Sequence, residues 1–114
     1  MTKSEMIKKM QDISFRTQGV GLQLIAGHML KAAAATTDKE RDEHLEGSIV
    51  IKIIVGALSK ATAIINTIHP DHFEVEELPK PFCNLEKMSE EEIADWIINE
   101  AKGGTNRIEN GERK

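Results

Sequence analysis

His28, Glu40, Glu43 and His44 are the residues whose types and spacing could hold a metal ion. Histidine and glutamate on the two arms of a helical hairpin can share one. Glu40 and His44 also lie about one helical turn apart. The quartet matches no specific ligand spacing, however, and the run KERDEHLE is also what the solvated start of a helix looks like. The reading is therefore no metal and no cofactor, with these four residues as the alternative. Glu40 with Glu43, and Glu92 with Asp95, are carboxylate pairs three residues apart. Such pairs on two helices can hold Mg²⁺ on the phosphates of a nucleotide. They define the alternative function, a metal-dependent all-α nucleotide hydrolase working from helix carboxylates.

The other reactive side chains point to less. Cys83 is the single cysteine. It has no neighbouring base or oxyanion site of the kind a nucleophile needs, so a free, half-buried thiol is expected. His69, His72 and Cys83 are too few for a structural zinc site. The two histidines suit the C-terminal end of a helix, where cationic imidazole meets the negative pole of the dipole. Gly19-x-Gly21 lacks the rest of any phosphate-binding loop. Lys8, Lys9 and Arg16 are candidate contacts for a small anionic ligand, above all if several copies converge in an oligomer.

Charge is unevenly placed. Residues 1–31 carry five basic and two acidic side chains, whereas residues 70–100 carry ten acids against Lys80 and Lys87. The acidic segment reads first as a solvated face and an acid-rich helix start. Its alternative is a docking surface for a basic protein partner. The net charge of −4 and the lack of a basic or aromatic patch argue against nucleic acid. The segment MTKSEMIKKMQD has no apolar run of the kind a signal peptide carries. Together with the lone cysteine, this places the expected protein in the cytoplasm.

The elements that would position these residues are helical. Thr2 with Glu5, Thr37 with Glu40 and Ser89 with Glu92 are three capping boxes, and Met88 with Ile93 forms a hydrophobic staple. Met6, Met10, Ile13, Thr17, Val20 and Leu24 recur at four- and three-residue steps, a heptad-like seam. Glycine in a helix interior costs up to about 1 kcal/mol, so Gly19 and Gly21 predict a break or kink near Arg16–Gly19. That divides a short N-terminal helix from a second helix over about Val20 to Ala35. A third helix starts after Thr37 and runs to about Ile68, where His69-Pro70 stops it.

The stretch Ile49–Ile68 is apolar around most of its circumference, with Lys52 and Lys60 as its only charges. Its expected inner seam is Ile51, Ile54, Leu58, Ala61, Ile65 and Ile68. Val50, Ile53, Ala57 and Ile64 form a second apolar line, the expected contact between copies of the chain. Lys52, Ser59 and Asn66 are left to face water. The β-branched run SIVIKIIVG also suits a strand, but no second strong strand is present to pair with it. A membrane span over 49–68 is an alternative of the right length. Against it, each lysine near the bilayer centre costs about 2.5–3.5 kcal/mol. Residues 70–88 carry three prolines and read as an extended connector in which FEVEEL stays a loop. A C-terminal helix then runs from Glu90 to about Ala101 with Trp96 at the centre of its apolar face, and Gly103-Gly104 ends it.

The fold class that follows is all-α: a long antiparallel helical hairpin with a short N-terminal helix and a C-terminal helix. One helical domain spans 1–104, and 105–114 is a polar, disordered tail. If the hairpin folds about Thr37, His28 lies level with Glu46, close to His44 and Glu43, and Gly27 faces Gly47. Aromatics are only 4% of the chain, so the core is aliphatic and small, and a small core favours oligomerisation. The function expected is that of a non-catalytic interaction or regulatory protein, of the bacterial or phage accessory or inhibitor type. It would act by self-assembly and by binding a partner or a small anionic ligand.

Overall fold

The computed structural model describes residues 1–67 and 77–112, with side chains to residue 103. Four helices follow in order: α1 (Lys3–Ala34), α2 (Asp38–Asn66), α3 (Phe82–Leu85) and α4 (Glu90–Glu112). No strand occurs among the described residues. The chain is all-α, and α1 and α2 form the antiparallel hairpin, with α3 and α4 packed against it.

All three capping residues act as caps. Thr2 accepts a hydrogen bond from the Glu5 N–H, and Thr37 accepts one from the Glu40 N–H. Ser89 makes the full reciprocal box. Its Oγ accepts from the Glu92 N–H at 3.2 Å, while Glu92 Oε1 accepts from the Ser89 N–H at 3.1 Å. Each bond satisfies a donor that the first helical turn leaves unpaired.

The expected break near Gly19 is absent. Segments read as a short N-terminal helix and a second helix are one continuous α1. The reason lies at Gly21, where α1 and α2 approach each other closely. A Cβ at Gly21 would sit 2.7 Å from Val55 Cγ1. The glycine is kept for packing, and neighbouring contacts offset its helix cost. The inner seam of α1 is buried as expected at Met6, Met10, Ile13, Thr17 and Val20, with Leu24 half-buried. Thr17 is fully buried and donates its hydroxyl to the Ile13 carbonyl at 2.8 Å.

On α2 the buried residues are Ile51, Val55, Leu58 and Thr62. This differs from the expected seam. Ile54, Ala61 and Ile65 are half-buried, Val55 and Thr62 replace them inside, and Ile68 lies outside the described residues. Lys52, Ser59 and Asn66 are exposed as expected, and Ser59 also reaches α1: its Oγ lies 3.2 Å from Ser14 Oγ and accepts from the Gln18 amide. The buried line of α2 thus runs through Val55 and Thr62, beside the expected one.

The core joins both arms to the connector and α4. Its connector and α4 members are Leu78, Phe82, Leu85, Ile93 and Ile97. The segment read as wholly extended therefore contains α3, whose Phe82 and Leu85 are among the most buried side chains. Trp96 is half-buried against the cluster, and Ile93 and Ile97 take the fully buried positions of α4. Helix α4 continues through Gly103-Gly104 to Glu112 instead of stopping. No described glycine adopts the positive φ that a terminating cap uses. The FEVEEL loop and the helix-end roles of His69 and His72 fall largely or wholly outside the described residues.

Candidate functional site

The hairpin register about Thr37 brings His28 and His44 together. Their Nδ1 atoms are 3.2 Å apart and their ring centroids 5.5 Å apart. One imidazole donates an Nδ1–H and the other accepts. Gly47 makes room for the pair, since a Cβ there would lie 3.1 Å from the His28 ring. Gly27, by contrast, meets nothing within 4 Å, so the expected Gly27–Gly47 crossing is replaced by Gly47 against His28 and by Gly21 against Val55. A groove beside His28 is lined by Glu43, Glu46, Val50, Ile51, Ile98 and Lys102.

Burial, then the charge of His44, then that of Lys31, hold His28 below the ordinary value of 6.5. The folded state therefore binds fewer protons at His28 than the unfolded chain does. The stability this contributes is present above about pH 6.5 and is lost as pH falls below it. Denaturation curves are expected to show the unfolding free energy falling as pH drops through about 6.5, above most carboxylate titration. His28→Gln is expected to flatten that slope. An unchanged slope in the variant would remove the His pair from the account.

The remaining candidates are more scattered. Glu40 and Glu43 are exposed on the first turns of α2, and Glu43 alone of the two lines the His28 groove. Glu92 is engaged in the α4 cap and Asp95 is exposed. Among the described residues, no group of three or more His, Cys, Asp or Glu side chains is close enough to hold a metal ion. The carboxylate pairs of the hydrolase reading are thus not assembled into a ligand set there. Cys83 is a free, half-buried thiol. Arg16 donates through Nη2 to the Met88 carbonyl and so ties α1 to the start of α4. Lys8 lines a shallow groove with Lys3, Ser4, Gln11 and Asn66, and Lys9 is exposed.

Several large apolar side chains are exposed. Ile53 and Ile64 on α2 are 65% and 64% exposed. Ala57 between them is exposed too, and Val50 is half-buried. Ala57 and Ile64 continue into a groove walled by Pro79, Phe82 and Trp96. No known protein family, curated protein or solved structure matches the chain. What these surfaces can do is then a matter of their own chemistry.

A second apolar face escaped the sequence reading. Phe15, Leu22, Met29 and Leu30 on α1 are also exposed. The signal was present as a second four-and-three-step pattern, offset from the buried one.

Proposed function

We propose that this protein is a non-catalytic helical interaction module that works in the cytoplasm by associating with further copies and offering its helical faces to a partner. The observation that carries this is the line Val50, Ile53, Ala57 and Ile64 on α2, exposed at all but the half-buried Val50. Fully burying an isoleucine is worth about 1.5–3 kcal/mol relative to leaving it in water. A row of such residues beside an apolar groove is the kind of patch that marks a contact surface. The exposed acids of α4 and the Lys8 groove are secondary surfaces of the module, suited to a basic partner and a small anion respectively.

A membrane reading draws on one specific observation. Helix α2 is long and apolar enough to cross a bilayer, and only 22% of its most apolar window is buried. Lys52 and Lys60 within it oppose a span, each at about 2.5–3.5 kcal/mol near the bilayer centre.

Sedimentation velocity across the micromolar range, with and without phosphatidylcholine vesicles, tests the reading. Self-association in buffer and no vesicle partition are expected. A monomer at all concentrations would overturn self-assembly, and partition into vesicles would move the conclusion to the bilayer. Ile64→Asp checks the assigned face, because a buried, unpaired charge is strongly unfavourable in a contact. It is expected to weaken assembly while leaving the circular dichroism of the monomer unchanged.

A further inference from the structure

Helix α1 carries two apolar stripes, and among the described residues only one is buried. The outer stripe is Phe15, Gly19, Leu22, Ala26, Met29 and Ala33, again at alternating four- and three-residue steps. All six residues are exposed. Phe15, Leu22 and Met29 are 79%, 64% and 55% exposed, and Leu30 widens the stripe on one side. This recurrence keeps the residues on one line of a helix, as in a coiled-coil seam.

Two features show that the stripe is more than scattered surface hydrophobicity. Large and small residues alternate along it without exception. Nothing among the described residues requires the smallness of Gly19, because a Cβ there would meet no atom within 4 Å. In addition, residues 17–30 contain no Asp, Glu, Lys or Arg. Depletion of charge is what the core of a subunit contact shows.

We propose that this stripe pairs with the same stripe of a second copy, antiparallel, about a twofold axis at the level of Leu24. In that pairing Phe15 lies opposite Ala33, Gly19 opposite Met29 and Leu22 opposite Ala26. Each large side chain meets a small one, and the two equal surfaces close on each other without leaving a free end. A parallel, in-register pair would set Phe15 on Phe15 and Gly19 on Gly19, alternately crowded and empty, which close packing does not tolerate. The inference rests on the proposed self-association and adds to the α2 face a second contact with its own geometry. The α2 face then joins such pairs to further copies.

Spin labels test the geometry in the full chain with Cys83→Ser. Gln23→Cys lies next to the axis and Asp12→Cys far from it. Antiparallel pairing gives a short distance between labels at position 23. Labels at position 12 are then separated along the helix by about 36 Å, at about 1.5 Å per residue. Leu22→Glu, at an exposed position, is expected to raise the dimer dissociation constant by roughly tenfold or more without changing the helical circular dichroism. Ile64→Asp should leave both label distances in place while weakening association beyond the dimer. Equal short distances at both positions, or a dimer indifferent to Leu22→Glu, would overturn the antiparallel seam while self-association stood. A monomer with no dipolar coupling would overturn both.

Discussion

Phe82→Ala is expected to lower the unfolding free energy by about 3–5 kcal/mol, the range for removing a buried aromatic. Phe82 is 1% exposed and belongs to the cluster that joins α1, α2, the connector and α4. It also forms one wall of the groove between α2 and Trp96, so its removal widens an existing opening and unseats the four-residue α3. The chain has few aromatics to compensate. Urea denaturation at one fixed protein concentration is the measurement, because association would otherwise shift the midpoint. The neighbouring half-buried Cys83 provides the control, since Cys83→Ala should cost well under the Phe82 value. A loss below about 1 kcal/mol for Phe82→Ala, the scale of an ordinary substitution, would show that the connector is not docked on the hairpin.

That anchor was hard to read because its evidence is tertiary. Three prolines between residues 70 and 88 argue locally for extended chain, and a four-residue helix has no periodicity to detect. Features decided within a few residues were legible. Thr2, Thr37 and Ser89 cap as their spacing indicates, and the hairpin register follows from the turn at Thr37. The same register foretold that His28 would reach the neighbourhood of His44. It could not foretell that Glu40 would stay out of that group, which depends on how the first turn of α2 faces.

The buried line of α2 shows the limit of hydrophobic pattern. A helix apolar around most of its girth offers several almost equivalent seams. The choice falls to α1, where Ser14 and Gln18 find Ser59 and Gly21 admits Val55. Polar pairing and close approach thus outvote the bulkier Ile54 and Ile65. The two stripes of α1 make the same point. Both keep the four-and-three step, so spacing alone does not say which one turns inward. The inner stripe also has α3 and α4 to cover it, whereas the outer one is exposed among the described residues.

Gly21 and Gly27 are expected to respond to substitution with opposite signs. Gly21→Leu should destabilise the fold by about 3 kcal/mol, the upper part of the usual range for overpacking. Its Cβ alone would stand 2.7 Å from Val55 Cγ1 and 3.7 Å from Ile51 Cγ2. Val55 is β-branched and stiff at χ1, so it cannot swing aside, and the arms must separate or shift along each other. Truncating the neighbour is expected to recover part of the loss. Gly21→Ala combined with Val55→Ala should be more stable than the two single effects added, a coupling that a double-mutant cycle reads directly. At Gly27, six residues on in the same helix, a Cβ meets nothing within 4 Å. Gly27→Ala should therefore stabilise by about 0.5–1 kcal/mol, the relief of glycine's entropic cost in a helix interior. The pair of measurements locates the crossing of the two arms. A destabilising Gly27→Ala with a tolerated Gly21→Leu would move the close approach to the level of Gly27, and the register that sets His28 beside His44 would have to move with it.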